Sequence, residues 1–167
     1  MGRLKILIAS DTHGCVDLLI EAISRNPDLD AVIFLGDGIS DMEFVSEYFR
    51  LRNISWFAVR GNCDFDRIFR NMPLEKTATL DLAGHRIVYT HGDAYGVKGG
   101  MDGLYALAKN TKADIVLYGH THRRKEEYKD GVYYVNPGSL YSSEGGRSCA
   151  ILTLEKTNVL FSYLILA

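Results

Sequence analysis

The sequence predicts an α/β fold, and two observations carry that prediction. Short apolar runs of strand length alternate with amphipathic helical segments through the first half of the chain. Paired strand-like runs joined by turn residues fill the second half. The first pattern, β-α-β-α-β, implies a parallel sheet with helices packed on it, and the second adds antiparallel hairpins.

The elements follow in order. LKILIA (4–9) has the length and branching of a buried strand. VDLLIEAISR (16–25) repeats apolar residues at helical spacing through Val16, Leu19, Ile20 and Ile23. AVIFLG (31–36) is a second strand. SDMEFVSEYFR (40–50) is a second helix, and Ser40 with Glu43 three residues on reads as a capping box at its start. ISWFAVRG (54–61) is a third strand. KTATLDLAGHRIVYTH (76–91) reads as two strands around Ala83-Gly84, followed by a helix at 103–112 and a strand, ADIVLYG, at 113–119. EEYKDGVYYVN (126–136) turns at Asp130-Gly131, a strong hairpin signal. A further hairpin spans 148–166 and turns near 156–158. Its last run, VLFSYLIL, is apolar on both faces. That predicts burial between layers, and an edge in a homo-oligomer is the alternative.

Bulk properties exclude several classes. The 167 residues make one domain, 1–167, with the 47% hydrophobic and 24% charged content of an ordinary globular chain. A net charge of −2 argues against a polymeric nucleic acid as partner. RRKEEYKD (123–130) mixes signs and reads as a solvated hairpin face. Cys15, Cys63 and Cys149 form no CxxC pair, so neither a disulfide framework nor a thiolate zinc site is expected, and a reducing, cytoplasmic setting is. The N-terminal apolar run is too short for a signal sequence, and no run approaches the ~20 residues that span a bilayer.

The polar residues after the apolar runs carry the chemistry. Asp11 and His13 follow the first run, Asp37 the second, Asn62 the third, His91 the run HRIVYT, and His120 and His122 the run DIVLYG. Ligands bind beyond the carboxyl ends of strands in α/β sheets, so five adjacent strands would bring these seven side chains to one rim. On extended backbone, residues two apart point the same way, which lets Asp11 and His13 grip one cation while His120 and His122 reach two neighbouring ones. An oxygen and imidazole set without thiolate suits Mn, Fe, Zn, Ni or Co. Seven ligands exceed one ion's usual share, and two ions bridged by Asp37 fit better. Each residue alone has an ordinary explanation. "GD" and "GN" are common turns, and Asp11 or Thr12 could cap the first helix. His85, at a hairpin turn, is the control and is expected to be simply exposed. Only the joint pattern, which takes four of the five histidines, is informative.

SDTHG (10–14), GD (36–37), GNCD (61–64), THG (90–92) and GHTH (119–122), in this order and spacing, resemble the motifs of the calcineurin-like metallophosphoesterases. YYVNPGS (133–139) and the lack of a cap insertion resemble the small, single-domain bacterial and archaeal phosphodiesterase branch. The resemblance implies a four-layer α/β/β/α sandwich with two mixed β-sheets flanked by helices. It implies one metal site at Asp11, His13, Asp37 and His122, and a second at Asp37, Asn62, His91 and His120. Two departures stand out: Cys63 where many relatives carry His, and Asp93 where many read His-Gly-His.

The chemistry expected is phosphodiester hydrolysis, with a hydroxide held between two divalent ions, manganese foremost, attacking phosphorus in line. Asn62 would also contact the phosphate, Cys63 is a candidate leaving-group acid, and Arg60 and Asp93 are candidates for the substrate side. A neutral thiol is a weak donor, which predicts better activity on aryl than on alkyl diesters. Two alternatives remain. One is a phosphomonoesterase. The other is a protein-interaction scaffold on the same fold, the role of a small eukaryotic relative.

Overall fold

The computed structural model describes residues 2–64, 68–69, 72–142 and 146–167. The elements run β1 Leu4–Ala9, α1 Val16–Ser24, β2 Ala31–Phe34, α2 Ile39–Arg52, β3 Ser55–Ala58, β4 Ile68–Phe69, β5 Met72–Pro73, β6 Thr77–Leu82, β7 His85–Thr90, α3 Asp102–Thr111, β8 Ile115–Tyr118, β9 Arg124–Lys129, β10 Val132–Pro137, β11 Arg147–Glu155 and β12 Asn158–Leu166, with a 3₁₀ turn at Asp93–Tyr95. Two five-stranded mixed sheets form, in the orders β12-β11-β1-β2-β3 and β6-β7-β8-β10-β9.

The four-layer architecture follows from the two-residue period of the strands. In β1, Ile6 and Ile8 point into the core between the sheets, while Leu7 and Ala9 point the other way, against α1 and α2. In β8, Ile115 and Leu117 enter the same inter-sheet core, and Val116 and Tyr118 pack with Leu104, Leu107 and Ala108 of α3. Strands covered on both faces must be apolar throughout, which is why both read as unbroken hydrophobic runs. The two predicted tight turns form as read: Ala83-Gly84 and Asp130-Gly131 each place both residues at positive φ, the geometry of a two-residue hairpin.

Several local expectations are corrected. Helix α2 begins one residue earlier than its proposed cap, after Gly38, and no side chain of its own first turn caps it. The carboxylate of Asp64 accepts from the N–H groups of Gly38 and Ile39 instead, so a residue distant in sequence takes the role assigned to Ser40 and Glu43. Neither Asp11 nor Thr12 caps α1, whose N-cap position is Cys15. Strand β12 is not buried between layers. It forms a sheet edge, with Leu160 56% and Ile165 47% exposed. His85 is half-buried and its Nε2 bonds Glu155 O at 3.0 Å.

The five strands behind the ligand residues are not neighbours in one sheet. β1, β2 and β3 run parallel in the first sheet, and β7 and β8 run parallel in the second. Their carboxyl ends meet across the sandwich, and the loops that leave them carry the candidate site.

Candidate metal centre

Asp11 is fully buried just beyond β1. Its Oδ2 accepts from the Ser10 hydroxyl and, at 3.1 Å, from the backbone N–H of His120. Among the described residues its Oδ1 accepts no well-formed hydrogen bond. That oxygen nevertheless lies 3.0 Å from His122 Nε2 and 3.9 Å from both His13 Nε2 and His91 Nε2. Asp37, 3% exposed, points one carboxylate oxygen at the Cys63 N–H (2.7 Å). Its other oxygen sits 3.3 Å from His91 Nε2 and 3.8 Å from His13 Nε2.

The histidines are oriented by their second nitrogens. His91 Nδ1 lies 2.9 Å from Leu35 O, and a carbonyl can only accept, so Nδ1 carries a proton and Nε2 turns inward. His122 is held likewise by Ser142 O at 3.1 Å. His91 Nε2 then faces His120 Nδ1 and Asn62 Oδ1, each at 3.1 Å. Three electron-pair donors aimed at one another, beside an orphaned carboxylate oxygen, fit a cation. Three groups of candidate ligands emerge, Asp11–His13–His122, Asp37–His91–His120 and, between them, His13–Asp37–Cys63, each with donor atoms within 4.8 Å of one another. Asn62 joins the second group through its amide oxygen. The seven sequence candidates are thus all brought together.

Backbone conformation is the second signature of the site. Nine described non-glycine residues have positive φ, and five of them are Asp11, His13, Asp37, His120 and His122. Such conformations are costly for ordinary side chains and concentrate at functional sites. The ligand loops are therefore not extended, as the two-residue spacing suggested. Left-handed residues in each loop turn both side chains inward. Close approach also demands glycine: a Cβ on Gly61 would lie 2.1 Å from Asp37 Oδ1, and one on Gly119 2.0 Å from Ser10 Oγ.

Charge follows geometry. Burial pushes the Asp37 carboxyl up, but His91 and the Cys63 N–H outweigh it and hold it well below the usual carboxylate range. Burial disfavours the charged form of His91, yet Asp37 and Asp11 raise its proton affinity overall. His120 moves the opposite way, lowered by burial and then by the charges of His91 and Lys98. The Cys63 thiol is pushed up to about 11 by partial burial and by Asp37. It is neutral near pH 7 in the metal-free protein, and it lies beside His13 and Asp37.

The remaining candidates divide. Asp93 starts the 3₁₀ turn after His91-Gly92. It pairs with Lys76 at 3.5 Å, and its charge is felt at His120, so it borders the site. Arg60 is half-buried and its N–H bonds Glu75 O at 3.0 Å.

Three positioning residues had no role assigned from sequence. The Asp64 carboxylate accepts from the N–H groups of Asp37 (2.7 Å), Gly38 (2.9 Å), Ile39 (3.0 Å) and Gly61 (2.8 Å), tying two ligand loops together. Asn136 donates to Gly119 O (2.8 Å) and Thr121 Oγ1 (3.1 Å), shaping the loop that carries His120 and His122. Ser139 donates to Asp11 O at 3.0 Å. The signals were present as GNCD and NPGS, but their partners are backbone atoms far along the chain.

Comparison with known proteins agrees with this arrangement. Residues 4–157 match the family model of the calcineurin-like phosphoesterase superfamily domain. The chain is 32% identical over 155 residues to a probable metallophosphoesterase, YsnB, of Bacillus subtilis, covering 91% of this chain and 85% of that one. It is 30% identical over 146 residues to the phosphodiesterase MJ0936 of Methanocaldococcus jannaschii, covering 81% and 83%. A solved structure from Streptococcus pneumoniae TIGR4, described as a predicted phosphoesterase, superposes with a TM-score of 0.79 at 25% identity over 99% of this chain and 91% of that chain.

Proposed function

Because the chain belongs to the calcineurin-like phosphoesterase family, we propose that Asp11, His13, Asp37 and His122 hold one divalent cation and Asp37, Asn62, His91 and His120 a second, in a single-domain phosphodiesterase. The observation that carries this reading is Asp37. One of its oxygens lies within 3.8 Å of His13 Nε2 and 3.3 Å of His91 Nε2, reaching both ligand groups at once. Two such ions, when bound, activate a water and clamp the attacking and leaving oxygens of an in-line displacement. Manganese is the metal we favour, since the set is oxygen and imidazole with only a neutral thiol nearby.

The chain's own residues set what the reaction can do. Asn62 turns its oxygen toward His91 and its Nδ2 outward toward Cys63 Sγ at 3.2 Å, so the amide is placed to donate to a phosphate oxygen. Asp11 and Asp37 leave a doubly loaded centre with net positive charge, which favours an anionic ester. The Cys63 thiol is the candidate acid for the leaving group and a weak donor, so leaving groups that depart without a proton should be preferred. The three free cysteines support a reducing, cytoplasmic setting. Among the described residues no helix is long and apolar enough to cross a membrane.

The test is an assay of metal-stripped protein on bis(4-nitrophenyl) phosphate and 4-nitrophenyl phosphate with Mn, Ni or Mg restored. Metal-dependent activity, greater on the diester, is expected. Activity that needs no metal, or that survives Asp37→Ala, would overturn the reading.

A further inference from the structure

Helix α2 is apolar on two opposite sides. Met42, Val45 and Phe49 are buried in the core beneath it. On the far side Phe44 is 76% and Leu51 69% exposed, and Tyr48 between them is exposed too. These three recur at intervals of four and three residues, which sets them in one stripe along the helix, the spacing of a two-helix seam. The exposed Ile20 of α1 widens the stripe across a shallow cleft of about 130 Å³ that it lines with Phe44 and Tyr48. A helix that meets water on its outer side normally carries polar residues there. Taking roughly 200 Å² for a fully exposed large side chain, the four leave about 450 Å² uncovered, a patch of the size that marks interaction sites.

Each residue of the stripe is preceded by an exposed charge: Glu43 before Phe44, Glu47 before Tyr48 and Arg50 before Leu51. One flank of the seam therefore runs from acidic at the amino end to basic at the carboxyl end, with Arg50 Nε donating to Glu47 at 2.9 Å. When two such helices pack antiparallel about a twofold axis, the same flanks meet with their ends exchanged. Arg50 of one copy then comes opposite Glu43 of the other, whereas a parallel pair would set like charges together.

We propose that this face binds a second copy of the chain, α2 against α2 in antiparallel, as an isologous dimer. Leu51 of each copy would lie against Phe44 of the other, with Tyr48 near the axis. Pairing the two patches covers about 900 Å² of apolar surface, and the charged flanks carry the total past the ~1,000 Å² that a specific interface needs. An interface this small should leave the dimer in equilibrium with monomer at micromolar concentration. Strand β12, where the sequence suggested an oligomer edge, offers a second copy less. Leu160 and Ile165 are five residues apart, so they lie on opposite faces of the sheet and form no common patch. The pairing is independent of the hydrolytic reading above.

Sedimentation velocity of the intact protein between about 1 and about 200 µM should show a monomer–dimer equilibrium with a Kd of order 10 µM. Phe44→Glu/Leu51→Glu, at exposed helical positions that tolerate glutamate, should raise that Kd at least about tenfold with an unchanged circular dichroism spectrum. A milder pair, Phe44→Gln/Leu51→Gln, reads the same contact should the first unfold. Leu160→Glu/Ile165→Glu on β12 should change the Kd by less than about twofold. A parent protein that stays monomeric throughout leaves the face to some other protein and overturns the proposal. So does a dimer that survives the α2 substitutions, or one lost only on substitution in β12. Charge reversal reads the orientation: Glu43→Arg and Arg50→Glu should each weaken the dimer about threefold, and both together in one chain should restore it to within about twofold. Weakening that adds instead of cancelling overturns the antiparallel pairing.

Discussion

The two halves of the centre are built from similar ligands, but His91 of one is wholly buried while both histidines of the other are partly exposed. In the half around Asp37 and His91, the His91 side chain is 0% and that of Asp37 3% exposed, and the imidazole is anchored to a carbonyl just past β2. In the half around His13 and His122, the side chains are 25% and 32% exposed. Charges interact more strongly where water is excluded, so the inner half should hold its cation more tightly and release it more slowly. Asp37 belongs to both halves.

That shared carboxylate gives the largest expected effect. On the two-cation reading proposed above, Asp37→Ala should lower phosphodiesterase activity on the order of 10³-fold, since it would remove a ligand from each cation. Metal content by elemental analysis should fall from two ions per chain toward none. Retention of two ions would break the bridging assignment. The next effect separates the halves. His91→Ala should abolish the tightly held ion, whereas His122→Ala should spare it and remove only the one that a chelator strips first. Identical stripping curves for the two variants would erase the contrast in depth.

Asp64→Ala tests whether the inner half depends on its frame. The carboxylate receives four backbone N–H groups and touches none of the seven candidate ligand side chains. Its loss should cost about 2–4 kcal/mol in thermal unfolding, less than four isolated bonds would suggest because the loops relax together. Activity should fall roughly 10–100-fold, as for groups that orient ligands from behind. Unfolding at the parent temperature with unchanged activity would show that the loops hold themselves.

These examples also show what the sequence can disclose. The seven candidate ligands are legible because each directly follows an apolar run, and strand ends are where an α/β fold presents side chains. The hairpins at Ala83-Gly84 and Asp130-Gly131 are legible because their turns demand residues that tolerate positive φ. Ser40 and Glu43 mislead because a local pattern cannot reveal a competitor, and Asp64 reaches the helix start from 25 residues away. VLFSYLIL misleads because apolar faces do not say whether a layer covers them, and at a sheet edge one is left partly bare. The pairing of two sheets across the rim depends on long-range packing that leaves no local mark.

The smallest expected effect concerns Cys63, which lies where the two halves meet, beside both His13 and Asp37. A thiol pushed up to about 11 keeps its proton at neutral pH, but it shares that proton only weakly. A working general acid contributes about 10²–10⁴-fold, but a nitrophenolate departs without a proton, so Cys63→Ser should change activity on a nitrophenyl diester by less than roughly threefold whichever role the thiol has. The sharper measurement compares an alkyl diester, whose leaving group needs a proton. If Cys63→Ser slows that substrate tenfold while sparing the aryl one, the thiol is the acid after all, and the preference for good leaving groups has another origin.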